Sequence, residues 1–175
     1  MERGRWTAGH VATLDLNGIA TESGYVEVTP KLDLGGLTFE RKGATRLFLV
    51  EGILPDLYDW GSGGVLAGGY GQPTTLKVHL PMGTTAWGAD FMGFYPDPKD
   101  PNGDTWLFPI SVHIALGDGT FFNLATHGYP THTFYGFVSD APIGFVELSS
   151  SRLPFGGGLP VENALLLDDV AYNVH

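Results

Sequence analysis

Two consecutive aspartates, Asp168 and Asp169, lie in a short apolar run near the end of the chain. Successive residues of a β-strand point to opposite faces, so only one of the two carboxylates can face inward. A carboxylate buried among apolar side chains must be paired, bound to a cation or protonated. The two aspartates therefore predict either a Ca²⁺ site, completed by backbone carbonyls of an early strand, or two exposed acids at a strand end.

A second group of oxygen ligands occurs in the segment 97–104, where Asp100, Asn102 and Asp104 alternate as at the start of an EF-hand loop. The glycine, however, stands at the fourth position of that loop rather than the sixth, and Ser111 replaces the glutamate of the twelfth position. The segment therefore predicts an ordinary turn or a looser Ca²⁺-binding turn with Asp100 and Asn102 as ligands, and it excludes an EF-hand.

Aromatic side chains are concentrated in and beside three stretches rich in glycine or proline, at 56–73, 95–106 and 153–160. These stretches are expected to be long loops, where function is commonly located. Aromatic rings stack on the apolar faces of sugars, and aspartates bind their hydroxyls. The predicted ligand-binding residues are Trp60, Trp106, Tyr70, Tyr95, Asp59 and Asp104. Alternatively, these rings close the ends of the core. Trp87 is instead expected within the core, because its segment is predicted as a strand.

Side chains that would support catalysis do not form a known pattern. There is no Gly-x-Ser-x-Gly elbow, and Ser62 lacks the strand and helix that flank a nucleophile. His127 and His132 have a spacing more typical of surface or hydrogen-bonded histidines than of a metal enzyme. A pair of carboxylates for glycoside hydrolysis stays open as an alternative, because such a pair forms in space. The sequence predicts no catalytic residue and no enzyme.

The composition restricts both the fold and the partners. Charged residues make up only 16% of the 175 residues, which favours an all-β fold over a helical one. The net charge is −10, and residues 47–175 hold three basic and thirteen acidic side chains. Because such a surface repels phosphate backbones and anionic lipids, we expect no nucleic-acid partner and no attraction to an anionic lipid surface. No stretch approaches 18 consecutive apolar residues, so we expect no membrane insertion. The lack of cysteine excludes disulfides and thiolate chemistry.

The apolar runs are short, alternating and separated by turn signals, which is typical of β-strands. Eleven strands are predicted, at Thr7–Leu16, Gly24–Thr29, Leu37–Arg41, Ala44–Val50, Thr74–Leu80, Thr85–Phe94, Phe108–Leu116, Thr120–Leu124, Thr133–Val138, Gly144–Ser149 and Asn163–Tyr172. The last run could instead start a helix at Pro160, but it is assigned as a strand because the rest is β. The spacing predicts an all-β, two-sheet antiparallel β-sandwich formed by one domain over residues 1–175.

An ordered series of motifs resembles a known family. The series comprises Gly36–Phe39, Thr75–Leu80, Ala86–Phe91, Val112–Gly119, Phe134–Asp140, Ile143–Ser149 and Leu167–Tyr172. It resembles the extracellular jelly-roll domain of bacterial PEP-CTERM-type surface proteins, which is similar to galactose-binding-like, carbohydrate-binding jelly rolls. The resemblance spans residues 36–172 and leaves the segment 1–35 without a match.

The resemblance implies a jelly roll, an extracellular or cell-surface location, and binding without catalysis. It also implies that Leu167–Val170, in the final strand, supplies a ligand to a structural Ca²⁺ ion. The first residues lack the apolar region of a signal peptide, and there is no Pro-Glu-Pro sorting tail. Export is therefore expected from the resemblance alone.

Two functions follow from these features. The first is a non-catalytic module that binds a polysaccharide or another cell-surface polymer, with Ca²⁺ stabilising the fold. The second is a structural subunit of a self-assembling surface structure, such as a filament, a matrix or a capsid decoration. In that case the N-terminal strand Thr7–Leu16 would add to the sheet of a neighbouring copy and produce a homo-oligomer.

Overall fold

The structure is a computed structural model of the chain. It describes residues 11–16, 25–43, 45–50, 53–54, 58–59, 63–70, 74–96, 107–108, 111–126, 133–150 and 162–173. Within these ranges every regular element is a β-strand, which confirms the predicted all-β fold. The same ranges contain no helix long and apolar enough to cross a membrane.

The described ranges contain sixteen strands. Their bounds are β1 Val11–Leu14, β2 Tyr25–Val28, β3 Lys31–Leu34, β4 Leu37–Arg41, β5 Arg46–Val50, β6 Ile53–Leu54, β7 Tyr58–Asp59, β8 Gly64–Tyr70, β9 Thr75–His79, β10 Ala86–Pro96, β11 Leu107–Phe108, β12 Ser111–Leu116, β13 Phe121–Ala125, β14 Thr133–Val138, β15 Phe145–Ser150 and β16 Glu162–Asn173. Each of the eleven predicted strands corresponds to one of these, including the last, which forms β16 rather than a helix.

The strands form two large antiparallel sheets and one small sheet. Sheet A follows the order β11-β10-β16-β8-β5-β2, with β14 also paired to β10 and β1 also paired to β16. Sheet B follows the order β13-β12-β15-β9-β4-β3, and β6 pairs with β7. From β8 onward the chain crosses repeatedly between sheets A and B, as in a jelly roll. The predicted two-sheet antiparallel sandwich is thereby confirmed.

The hydrophobic core lies between sheets A and B. Strands β9 and β15 alternate strictly between buried and partly exposed residues, as expected when one face of a sheet packs on a core. Sheet A contributes the large side chains Trp87 and Phe91, and sheet B contributes Phe39; all three are fully buried. The expected core position of Trp87 is therefore confirmed.

The outer faces of the two sheets differ. Near the centre of sheet A, Leu165 and Leu167 face the core between the sheets, while Leu166 and its cross-strand partner Met92 are fully buried on the opposite face. The outer face of sheet B instead carries polar side chains that are partly or fully exposed. Sheet B therefore offers the accessible sheet face.

Strand β8 corrects an expectation from the sequence, because the glycine-rich stretch 56–73 is expected to be a loop. Gly64–Tyr70 instead forms a strand between β16 and β5. A Cβ atom on Gly64 would lie 2.8 Å from Leu166 Cδ1 and 2.8 Å from the Leu167 carbonyl oxygen. Glycine at the start of β8 therefore permits a close approach of two neighbouring strands, rather than marking a loop.

The N-terminal segment 1–35, which has no match in the family resemblance, contributes three strands. Strand β1 pairs with β16, β2 with β5 and β3 with β4. In the first of these pairs Val11 lies opposite Asn173, and Leu14 lies opposite Val170. Strand β1 is therefore used within its own chain, while the predicted oligomerisation through Thr7–Leu16 stays a prediction.

Candidate functional site

The predicted ligand-binding residues fall into two groups. Trp60, Trp106 and Asp104 lie outside the described residues, as do Asp100 and Asn102 of the predicted Ca²⁺ turn. The other three have described backbone positions: Asp59 in β7, Tyr70 in β8 and Tyr95 in β10. These three lie in strands, although the sequence places them in or beside long loops.

Tyr70 and Tyr95 lie at the same end of sheet A. Tyr70, the last residue of β8, pairs with Glu162 at the start of β16. Tyr95 lies near the end of β10, on the other side of β16, and pairs with Phe108 of β11. Asp59 precedes β8 in the chain, whereas Tyr70 is the last residue of β8. Their roles in ligand binding stay predictions.

The two adjacent aspartates occupy an irregularity of β16. Asp168 is 6% exposed, and its Oδ1 accepts a hydrogen bond of 2.7 Å from the backbone amide of Asp169. Asp169 is partly exposed and has a φ of 45°, a left-handed conformation that aspartate tolerates better than most residues. Of the two aspartates, Asp168 is therefore the buried one.

A β-bulge causes this arrangement. The register of β10 and β16 shifts so that two residues of β16, Asp169 and Val170, stand opposite Ala89 alone. Asp168 then pairs with Asp90, on the face of sheet A that points away from the core between the sheets. Among the described residues no three His, Asp or Glu side chains are arranged to hold a metal ion. A Ca²⁺ ion at Asp168 and Asp169 therefore stays a prediction.

Two of the six histidines, His79 and His113, have described positions, and both lie on strands of sheet B. His79 Nε2 is 2.7 Å from Glu40 Oε2, and the other oxygen of Glu40 is 3.1 Å from Lys42 Nζ and 3.7 Å from Lys31 Nζ. The hydrogen bonds from His79 and Lys42 are the main cause that lowers the pKa of Glu40 to about 2. This group therefore acts as an ion-pair network between neighbouring strands.

The other histidine belongs to an exposed surface at the opposite side of sheet B. We call this surface the Phe121 face, and it consists of Phe121, His113, Asn123, Glu147 and Ser149. The strand pairing places His113 between Asn123 and Ser149, while Phe121 and Glu147 lie one on each side of an alanine of β12. Residues paired in this way share one face of the sheet. The five side chains therefore form one continuous surface across β13, β12 and β15.

The Phe121 face combines an apolar platform with hydrogen-bonding groups. Phe121 is 62% exposed, and the centroid of its ring lies 5.5 Å from that of the His113 ring. His113 Nδ1 is 3.0 Å from Asn123 Oδ1. Because an amide oxygen only accepts, Nδ1 carries the hydrogen, and Nε2 of the neutral imidazole is left as an acceptor. Aromatic stacking and directed hydrogen bonds are thus available side by side.

Sequence reasoning missed this surface, although one signal was present. The predicted hairpin at Gly117-Asp118-Gly119 is confirmed, and it leads directly into Phe121 and Phe122. Two consecutive phenylalanines in a strand must point to opposite faces. Phe122 turns inward and stacks on Phe137, with ring centroids 5.1 Å apart, so Phe121 must point outward. Strand alternation, applied to this hairpin, would have identified the exposed ring.

Comparisons with known proteins give distant similarities. No protein-family model matches the chain, and no curated protein matches it. The chain is similar to the structure of TmCBM61 in complex with β-1,4-galactotriose, with a TM-score of 0.39 and 12% identity over 81% of this chain and 90% of that one. It is also similar to the K2 cleaved adhesin domain of Lys-gingipain, with a TM-score of 0.42 and 10% identity over 94% of this chain and 99% of that one. Similarities at this level carry no inference about a ligand.

Proposed function

We propose that this chain is a non-catalytic β-sandwich module that binds a glycan or another surface polymer outside the cell. One observation carries the proposal: Phe121 is 62% exposed on the accessible face of sheet B. Sugars bind where an aromatic ring meets their apolar face and polar groups meet their hydroxyls. The extracellular location is supported by the resemblance to surface-protein jelly rolls.

The hydrogen-bonding groups around Phe121 suit a ligand of more than one sugar unit. His113 offers Nε2 as a hydrogen-bonding group, and the amide nitrogen of Asn123 is a donor once its oxygen binds His113. Glu147 and Ser149 lie on β15, about 10 Å from β13, because two strand spacings separate these strands. We therefore infer that the ligand is an oligosaccharide or a polymer that crosses β13, β12 and β15.

The charges on this side of the sandwich argue against one catalytic role, that of the general acid, for Glu40. Glycoside hydrolysis requires a second carboxyl group that holds a proton as the general acid. Glu147 shares the outer face of sheet B with Glu40, and Lys77 lies between them by the strand pairing. Since the pKa of Glu40 is lowered to about 2, this carboxyl group is ionised near neutral pH and cannot act as that acid.

The test is the binding of the purified chain to a panel of soluble and insoluble polysaccharides. We expect saturable binding to one glycan class and an affinity at least about tenfold lower for Phe121→Ala. The matched control is Phe145→Ala, on the same sheet face, because the Lys77 ammonium covers the Phe145 ring at 3.6 Å. This control should bind as the wild type does.

Two outcomes separate the function from the site. If the wild type binds none of the polysaccharides, the proposed function is wrong. If it binds and Phe121→Ala binds equally well, the Phe121 face is not the site. In that case Trp60→Ala and Trp106→Ala test the site predicted from the sequence. Both variants should lose binding without a lower melting temperature.

A structural Ca²⁺ ion is a separate part of the proposal. It is supported by the resemblance and by the buried carboxylate of Asp168. We expect Ca²⁺ to raise the melting temperature relative to a chelator, and Asp168→Asn to abolish the difference. Asp33→Asn, which changes an exposed aspartate, should retain it. Equal melting temperatures of the wild type in Ca²⁺ and in chelator would reject the ion.

A further inference from the structure

Among the strands that the structure describes, β13 is a free edge of sheet B. It stands at the end of the strand order, next to β12, and four of its five residues are exposed. No other strand whose side chains are described is exposed to this extent. A free edge presents unpaired backbone groups that can pair with another strand, and proteins usually protect such edges with charged residues.

The opposite edges of the sandwich carry this protection, whereas β13 does not. Strand β3 contains Lys31 and Asp33, and β2 contains Glu27, which receives two hydrogen bonds from Arg46 at 3.1 and 2.6 Å. The stretch 120–126 has no charged residue. Strand β14 is also uncharged, but most of its residues are half-buried.

The backbone of β13 directs every second residue toward the free edge. The Leu116 amide donates to the Thr120 carbonyl at 2.8 Å, so Thr120 is bonded toward β12. By alternation, the amides and carbonyls of Phe121, Asn123 and Ala125 point away from β12. The Tyr135 hydroxyl donates to the Ala125 carbonyl at 2.9 Å, which agrees with this direction and leaves that oxygen one further lone pair.

We propose that β13 pairs with β13 of a second copy of this chain, antiparallel, about a two-fold axis at Asn123. A two-fold interface must be self-complementary. This register sets the large Phe121 opposite the small Ala125 of the second copy, Phe122 opposite Leu124, and Asn123 opposite Asn123. The edge-directed groups of Phe121, Asn123 and Ala125 then form the hydrogen bonds of an antiparallel pair.

Charge supports a second copy as the occupant at this place. The chain carries a net charge of −10, so most contacts between two copies bring like charges together. The uncharged stretch 120–126 avoids this repulsion. An interface built on one short strand is small and belongs to the class of weak, reversible contacts. The dimer is therefore expected to depend on concentration.

The dimer would also change the proposed binding surface, a consequence that rests on the proposed function. Phe121 and Asn123 point to the outer face of sheet B, so their side chains are not used by the backbone pairing. Joining two copies at β13 makes one continuous sheet with two Phe121 faces side by side. A polymer that contacts both would bind with avidity.

The experiment measures mass by sedimentation equilibrium without sugar, from about 10 μM to about 1 mM. We expect reversible dimerisation of the wild type. Asn123→Lys and Asn123→Asp should each weaken it at least about tenfold, because two like charges then meet at the axis. An equal mixture of the two variants should dimerise again. The control Ala115→Lys adds the same charge one strand away from the edge and should dimerise as the wild type does.

A wild type that is monomeric over the whole range would overturn the dimer, and so would Asn123→Lys that dimerises as well as Ala115→Lys. Failure of the Asn123→Lys and Asn123→Asp mixture to associate would reject the two-fold register. Circular dichroism confirms that each variant is folded. A monomer that binds polysaccharide rejects the dimer alone, whereas a dimer that binds none rejects the proposed function alone.

Discussion

The hydroxyl of Tyr172, in the last strand of sheet A, donates a hydrogen bond to the carbonyl of Gly35, in the turn between β3 and β4 of sheet B. The two residues are 137 positions apart, and Tyr172 is almost fully buried. Gly35 adopts a φ of 57°, so the turn presents its carbonyl in a conformation that glycine accepts without strain. This contact ties the C-terminal strand to the edge hairpin of the other sheet.

Removing the hydroxyl with Tyr172→Phe should lower the free energy of unfolding by about 0.5–1.5 kcal/mol, because a hydrogen bond at a part-buried site is lost. Tyr135→Phe is the matched control, since its hydroxyl also donates to a backbone carbonyl but at an exposed position. Water can replace that bond, so the loss should be smaller. Urea denaturation of both variants measures the difference, and equal losses would contradict the role of the contact.

The ion-pair network of Glu40 predicts a dependence of stability on pH. Hydrogen bonds from His79 and Lys42 lower the pKa of Glu40 from 4.5 to about 2. A carboxyl group whose pKa is lower in the folded state stabilises the fold above pH 4.5. This contribution is lost as the pH falls from 4.5 to about 2.

We therefore expect Glu40→Gln to lose less stability than the wild type between pH 4.5 and about pH 2. The lowered pKa values of Glu27 and Asp118 act in the same direction, so the decrease becomes smaller without disappearing. Glu147→Gln, on the same sheet face, should keep the decrease of the wild type. Urea midpoints across this pH range provide the measurement, and parallel curves for all three proteins would refute the assignment.

Two glycines of β8 should respond in opposite ways to alanine. A Cβ on Gly64 would lie 2.8 Å from both Leu166 Cδ1 and the Leu167 carbonyl oxygen, whereas a Cβ on Gly68 would meet nothing within 4 Å. Gly64→Ala should therefore destabilise the fold by about 1–3 kcal/mol, as overpacking usually does. Gly68→Ala should be neutral or stabilising by up to about 1 kcal/mol. Thermal unfolding distinguishes the two variants. Equal melting temperatures would show that β16 moves to make room for the added methyl group without a loss of stability.

The Phe137 ring lies between two others at the side of the sandwich. Its centroid is 5.6 Å from that of Trp87 and 5.1 Å from that of Phe122, and both pairs are stacked. Phe137→Ala should lower the free energy of unfolding by about 3–5 kcal/mol, because it opens a cavity beside buried Trp87. Phe121→Ala, at an exposed ring, should lower it by less than about 1 kcal/mol. Similar losses in guanidinium denaturation would argue against a packed stack.

Two of the strands that the sequence did not predict, β8 and β3, were missed for specific reasons. Strand β8 was hidden by its glycines, which leave little apolar pattern to detect; one of them, Gly64, is required by the close approach of β16. Strand β3, with the sequence Lys-Leu-Asp-Leu, does alternate but is only four residues long. Strand β16 was detected but ambiguous, because Leu165, Leu166 and Leu167 are buried on both faces and show no period of two.

The sequence by itself determined the fold class, the positions of most strands, the β12–β13 hairpin and the burial of Trp87. These properties depend on local patterns, since alternation and turn residues act between near neighbours along the chain. Only the tertiary structure decided that Asp168 rather than Asp169 is buried, that Tyr70 and Tyr95 share one end of sheet A, and that His113 lies between Asn123 and Ser149. Each of these depends on the register between strands distant in sequence, which a bulge or a shift of one residue changes and which a local pattern does not encode.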